Sequence, residues 1–107
     1  MNEEEKFQYK YTVQATNRFK KHARLVKKRN AKNAEKIKST VEMLAKGEPL
    51  PERFCDHELT GNYASHRKCH VLPDLLLIYR IYKNILILAF VNTGTHSDFL
   101  ENNQQCL

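Results

Sequence analysis

His66-Arg67-Lys68-Cys69-His70-Val71-Leu72-Pro73-Asp74-Leu75-Leu76-Leu77-Ile78-Tyr79 is the stretch whose reading decides the fold. A strand runs from Tyr63 or His66 to Val71, and the Pro73-Asp74 corner ends it, because proline cannot donate to a continuing ladder. Residues 75–79 are apolar at every position. Such a run has no polar face to turn to water, so it reads as a central strand covered on both sides. Lys83-Asn84 then makes a two-residue turn in which asparagine can take a positive φ. Residues 85–91 form a second doubly apolar strand.

Upstream, Phe7, Tyr9, Tyr11 and Val13 alternate with Gln8, Lys10, Thr12 and Gln14. That period of two predicts a half-buried strand. Thr16 or Asn17 can cap a helix carrying Phe19, Ala23 and Val26 at helical spacing. A polar break over residues 30–33 precedes a second helix with Ala34, Ile37, Val41, Leu44 and Ala45 on one stripe. Gly47 stands at the C′ position that favours glycine. Residues 48–62 read as a long loop, a length more often functional than idle in a small domain. The expected fold class is α+β, in the order β-α-α-β-β-β. An antiparallel-rich sheet carries a helical hairpin packed on one face. With 107 residues the chain supports one domain over 1–107, with 1–6 and 101–107 expected as flexible tails.

Charge is distributed unevenly. Lys plus Arg number 18 against 12 for Asp plus Glu, a net +6 that favours a polyanion or an acidic protein as partner. Arg18, Lys20, Lys21, Arg24, Lys27, Lys28, Arg29, Lys32, Lys36 and Lys38 carry much of it, with Glu35 the one acid among them. Such a run is either a solvated helix face or a binding surface. The acidic start Met1-Asn2-Glu3-Glu4-Glu5 has no apolar core, so no signal peptide is expected. Arg80, Lys83 and Asn84 interrupt the apolar stretch 75–91 well short of the ~20 residues a membrane span needs. A soluble, cytoplasmic protein with no membrane partner is expected.

Four of the five histidines fall between His57 and His96. An imidazole, with an unperturbed pKa of ~6.5, can both take and give a proton near neutrality. His66 and His70 stand four apart, but on a strand that separation is ~13 Å, too far to share a metal ion. Cys55, Cys69 and Cys106 are odd in number and carry no CxxC spacing, so neither a disulfide framework nor a zinc ribbon is indicated. No metal site and no cofactor are expected. Cleavage of RNA by its own 2′-hydroxyl needs a base, an acid and donors for the charge on phosphorus. His57, His70 and His96 can supply the proton transfers, Asp74 can orient one of them, and Arg67 or Lys68 can meet the phosphate. Each histidine taken singly reads more readily as a loop or edge residue without a catalytic role; for the set at strand ends and loops the two readings are about even.

Taken jointly, the motifs resemble a known family. They are Asp56-His57-Glu58-Leu59-Thr60-Gly61-Asn62-Tyr63, Arg67, His70-Val71-x-Pro73-Asp74-Leu75-x-Leu77-Ile78-Tyr79, and Thr93-Gly94-Thr95-His96 with Phe99. This pattern, with Pro49-Leu50-Pro51 before the loop, is similar to the YafQ branch of the RelE/ParE toxin superfamily, over about residues 7–100. The resemblance implies a ribosome-dependent endoribonuclease that cleaves mRNA and is silenced by a cognate antitoxin. That antitoxin is expected to be acidic, encoded upstream, and to set the oligomeric state. It further implies that His57, His70, Asp74 and His96 are catalytic, with His96 the acid and His57 or His70 the base. Arg67, Leu75, Asn92 and Phe99 would bind substrate, and Lys20, Lys21, Lys27 and Lys28 would bind the ribosome. Two positions depart from the family pattern. Asn92 stands where an arginine is usual, and Leu75 where tryptophan is familiar. Either another cation such as Arg67 or Arg80 substitutes, or the enzyme is weakened. The alternative is a catalytically silent binding module of the same fold.

Overall fold

The computed structural model describes residues 9–93. The expected tails, Phe7, and the motif residues from Gly94 onward, including His96 and Phe99, lie outside them. The elements are β1 (Thr12–Ala15), α1 (Asn17–Arg29), α2 (Ala31–Lys46), β2 (His57–Glu58), β3 (Arg67–Leu72), β4 (Leu75–Tyr82) and β5 (Ile85–Asn92). Short 3₁₀ turns at Glu52–Phe54 and Gly61–Tyr63 flank β2. They give the expected long loop a defined path. The sheet order is β1-β5-β4-β3-β2; β1 pairs with β5 in parallel and the other pairings are antiparallel. The α+β reading with a helical hairpin on the sheet therefore holds, with β2 as an additional edge strand.

Three local expectations shift. β1 starts at Thr12 because the N–H groups of Lys10 and Tyr11 both donate to the Ala45 carbonyl at the end of α2, at 2.8 and 3.0 Å. Its partner strand begins only at Ile85, opposite Thr12. The interhelical break is one residue long. Asn30 adopts extended backbone, donates its N–H to the Val26 carbonyl, and accepts from Lys32 N and Asn33 N through Oδ1, so it ends one helix and caps the next. In the hairpin turn, the positive φ falls on Lys83, at 56°. Asn84 offers its carbonyl to Thr12 N at 2.9 Å instead. Gly47 takes the left-handed φ of 81° that its position after α2 calls for.

Both faces of β4 are covered, as its composition requires. On one side Phe19, Val26, Ile37 and Leu44 of the helices pack on Leu77, Leu86, Leu88 and Val91. On the other, Leu59 and the partly buried Tyr63 from the 48–66 segment cover Leu76, Ile78 and Phe90. The α1–β5 junction hinges on Thr16. Its Oγ1 accepts from Phe19 N at 3.0 Å and donates to the Ala89 carbonyl at 2.6 Å, so one hydroxyl caps the helix and ties it to the sheet.

Thr16→Ala removes both bonds and should cost about 1–2 kcal/mol in urea unfolding. Thr16→Ser keeps the hydroxyl and should recover most of that loss.

Candidate active site

Strand register determines which side chains meet. His57 of β2 pairs with Lys68 of β3, Lys68 with Ile78 of β4, and Ile78 with Phe90 of β5. The next row joins His70, Leu76 and Asn92. Directly paired residues project to one side of a sheet, and positions two apart on a strand share that side. His57, Lys68, His70 and Asn92 therefore rise from the face that also carries Leu76, Ile78 and Phe90, opposite the helical hairpin. At a strand spacing of ~4.8 Å, His70 and Asn92 stand about 10 Å apart across β4.

Both histidines are oriented. His57 Nδ1 lies 2.8 Å from the Cys55 carbonyl and His70 Nδ1 lies 3.4 Å from the Pro73 carbonyl. A carbonyl can only accept, so each ring donates through Nδ1, and in its neutral form its Nε2 is the acceptor nitrogen. Lys68 is 1% exposed, and burial pushes its ammonium pKa down. The pKa of His70 is also lowered, first by burial, then by the Lys68 charge and less by His57, against a raising bond to the Pro73 carbonyl. His70 is thereby held as the neutral base at neutrality.

Asp74 is exposed at the β3–β4 turn. It opens onto a cavity of about 450 Å³ that His22, Arg29, Leu75 and Asn92 also line. Leu75 itself is 3% exposed and belongs to the core under the helices, which leaves little of it for a substrate. A second cavity of about 380 Å³ brings Arg53 and Cys55 beside His70 and Pro73.

Arg67 is placed differently from its neighbour. Its Nε donates to Asp56 Oδ1 at 3.3 Å, its Nη1 lies 3.9 Å from Glu58, and Tyr79 donates its hydroxyl to the same Asp56 oxygen at 2.7 Å. Burial alone would lower the Arg67 pKa, but the Asp56 carboxylate outweighs it and raises the value. Burial and the same carboxylate push the Tyr79 hydroxyl and the Cys69 thiol up, so neither ionises near neutrality. The partly exposed ion pair contributes about 0–1 kcal/mol, and the buried Tyr79 bond to a carboxylate about 1.5–3 kcal/mol. Arg67 thus serves the sheet edge. The histidine face carries Lys68 and, two residues past Ile78 on β4, Arg80, whose guanidinium carbon lies 5.7 Å from the Tyr82 ring centroid. Lys20, Lys21, Lys27 and Lys28 are all exposed on α1, as expected of a binding or solvated face.

Sequence reasoning passed over His22, Arg18 and Arg53. His22 Nδ1 accepts from the Val91 N–H at 3.2 Å, and the Arg18 guanidinium carbon lies 4.0 Å from the Phe90 ring centroid. The i, i+4 spacing of Arg18 and His22 was the available signal, hidden within a run of cations. Among the described residues, no three His, Cys, Asp or Glu side chains gather in a way that could hold a metal ion. No helix among them is long and apolar enough to cross a membrane.

The model of the bacterial YafQ toxin of type II toxin–antitoxin systems matches residues 11–101. The chain belongs to the YafQ toxin family. It is 34% identical to the mRNA interferase toxin YafQ of Escherichia coli K12 over 86 residues, 79% of this chain and 90% of that one. The crystal structure of YafQ from E. coli BL21(DE3) superposes with a TM-score of 0.72 at 29% identity, covering 78% of this chain and 93% of that one. YafQ in the E. coli DinJ–YafQ toxin–antitoxin complex matches with a TM-score of 0.70 at 28% identity, over 78% and 91% of the two chains. A metal-bound toxin from Helicobacter pylori matches at 0.70 and 32% identity, over 77% and 92%.

The Lys68 charge gives a direct test of the YafQ-family site in this chain. His70 should titrate below ~6.5 by NMR, and Lys68→Met should move it upward. Because the native state holds His70 less protonated than the unfolded chain, its contribution to stability rises with pH between the two pKa values. An unmoved His70 titration would show that Lys68 does not act on it.

Proposed function

We propose that this chain is a ribosome-dependent endoribonuclease that cleaves mRNA by general acid–base catalysis without a metal. The observation that carries the reading is the shared sheet face on which His57 and His70 are both oriented through Nδ1 beside a buried cation. His70 Nε2 takes the proton of the ribose 2′-hydroxyl, whose oxygen attacks the adjacent phosphorus. The bond from phosphorus to the 5′-oxygen breaks, and His96 gives that oxygen its proton, leaving a 2′,3′-cyclic phosphate and a 5′-hydroxyl. His57 lies in the neighbouring row and supports the base, while Asp74 orients the reacting groups at the turn. Phe99 stacks on a base or sugar.

The family relatives support this reading through their names as mRNA interferases, and through a YafQ solved with its antitoxin DinJ. By the same likeness, an acidic antitoxin silences this chain in the cytoplasm, and the exposed lysines of α1 meet either that partner or ribosomal RNA phosphates.

Primer extension on translated mRNA tests the mechanism. His57→Ala, His70→Ala, Asp74→Asn and His96→Ala should each lower cleavage by about 10²–10⁴-fold, the usual contribution of proton transfer. Cleavage should survive a chelator added with magnesium held constant for the ribosome. A loss restored by zinc would return the site to metal chemistry, and no cleavage by the native chain would favour a silent binding module.

The cationic face has a separate test. Reversing Lys20, Lys21, Lys27 and Lys28 to Glu should weaken ribosome binding and flatten its salt dependence, since each phosphate contact releases counterions. Unchanged binding would make the run a solvated face.

A further inference from the structure

The pairing of β1 with β5 ends at Ala15 and Leu88, and α1 then runs along the edge of β5 from Ala89 to Asn92. Thr16 holds the first residue of that edge and His22 the third. Because His22 Nδ1 accepts from Val91, the ring carries its proton on Nε2 as an outward donor. One turn earlier, Arg18 lies over Phe90, with 4.0 Å between guanidinium carbon and ring centroid. The His22 ring meets the same phenyl edge-on, at 6.2 Å between centroids. Arg18, His22, Phe90 and Asn92, with Tyr63 and Val91, line a cavity of about 200 Å³. Phe90 and Asn92 are two apart on β5, so this cavity lies on the face that His70 shares.

Attack on a phosphodiester builds charge on the non-bridging oxygens, and donors aimed there commonly contribute ~10²–10³ in rate. Asn92 carries no charge. Arg67 is engaged by Asp56, Lys68 is buried, and Arg53 lies at the opposite end of the row beside His70. Arg80 stands four residues along β4 from the His70–Leu76–Asn92 row, with its guanidinium carbon 5.7 Å from the Tyr82 ring centroid. We propose that Arg18 and His22 bind the scissile phosphate at the Asn92 end of the site, Arg18 through its guanidinium and His22 through Nε2–H. The proposal rests on the endoribonuclease reading above. Stacking on Phe90 restrains a long side chain before substrate arrives, and a guanidinium offers two parallel donors to a phosphate. α1 thus does more than present cations to solvent: its inner flank completes the site.

Single-turnover cleavage on programmed ribosomes tests this. Arg18→Gln should lower the rate by ~10²-fold or more, with ribosome affinity and melting temperature close to native. His22→Asn keeps an acceptor for the Val91 N–H but loses the donor at Nε2, and should also slow cleavage at least ~10-fold. Asn92→Arg should restore much of the rate in the Arg18→Gln background and add little to the native chain. Cleavage near native in both Arg18→Gln and His22→Asn, with His70→Ala inactive, would overturn the proposal and leave the nuclease reading intact. A second measurement stands apart from cleavage. On titration of the native chain with uridine 3′-phosphate, the Arg18 Nε–H and His22 Nε2–H NMR signals should shift saturably. If they shift while translated mRNA stays whole, the phosphate site stands and the nuclease reading fails. If neither signal moves, the proposal is wrong whatever the chain cleaves.

Discussion

β4 has to be covered on both faces, and that requirement arranges the rest of the chain. Leu75, Leu76, Leu77, Ile78 and Tyr79 are each 3% exposed or less. An uncovered face here would leave several large side chains in water, at about 1.5–3 kcal/mol each. The helical hairpin covers one side. Among the described residues no helix covers the other, and the segment after Pro51 crosses back and lays Leu59 and Tyr63 against Leu76, Ile78 and Phe90. Coverage of that side by the described residues is partial. Toward the Pro73–Asp74 end, the same face carries His70 and Asn92 where a larger cap would have buried them. The site is the part of the sheet that the second cover leaves available.

Much of this was legible because β4 and β5 are apolar at nearly every position and the helices are not. Periodicity separated strands from helices, and Thr16 or Asn17 marked a helix start and Gly47 a helix end. The polar stretch 30–33 marked the break between helices more broadly than the single residue Asn30 makes it. What remained hidden depended on partners distant in sequence. β1 was expected to begin at Phe7, but an alternating pattern describes a strand only where another strand lies alongside. Ala45 takes the N–H groups of Lys10 and Tyr11 before that point.

The candidate site was legible as a set of residue types and hidden as a geometry. By residue type, both Arg67 and Lys68 could supply the phosphate cation, and they are adjacent on one strand and therefore on opposite faces. Burial usually decides such a choice, since the charged residue turns outward. Here Lys68 and Cys69 are both buried, at 1% and 0% exposure, so the polarity pattern carries no parity. Pairing decides it instead. Arg67 stands opposite Tyr79 and beside Asp56, while Lys68 stands opposite His57. His22 was hidden for a related reason. Its neighbours are mostly cations on a helix face, and only the edge of β5 reveals that this imidazole points inward to a backbone N–H.

The three histidines described near the site are all held through Nδ1, yet with different consequences. His57 and His70 donate to carbonyls, which makes Nε2 the acceptor nitrogen of each neutral ring, whereas His22 accepts from an N–H and carries its proton on Nε2. Two lone pairs lie on β2 and β3, and one donor lies beyond β5, with Asn92 and the Arg18 guanidinium next to it. The backbone thus sorts chemically identical rings into proton acceptors on one side and a hydrogen-bond donor on the other. On the proposed reading, a phosphodiester lying across β4 would meet them with the base toward the 2′-hydroxyl and the donors toward the oxygens that gain charge. That ordering comes from strand register and one helix packed along a strand edge.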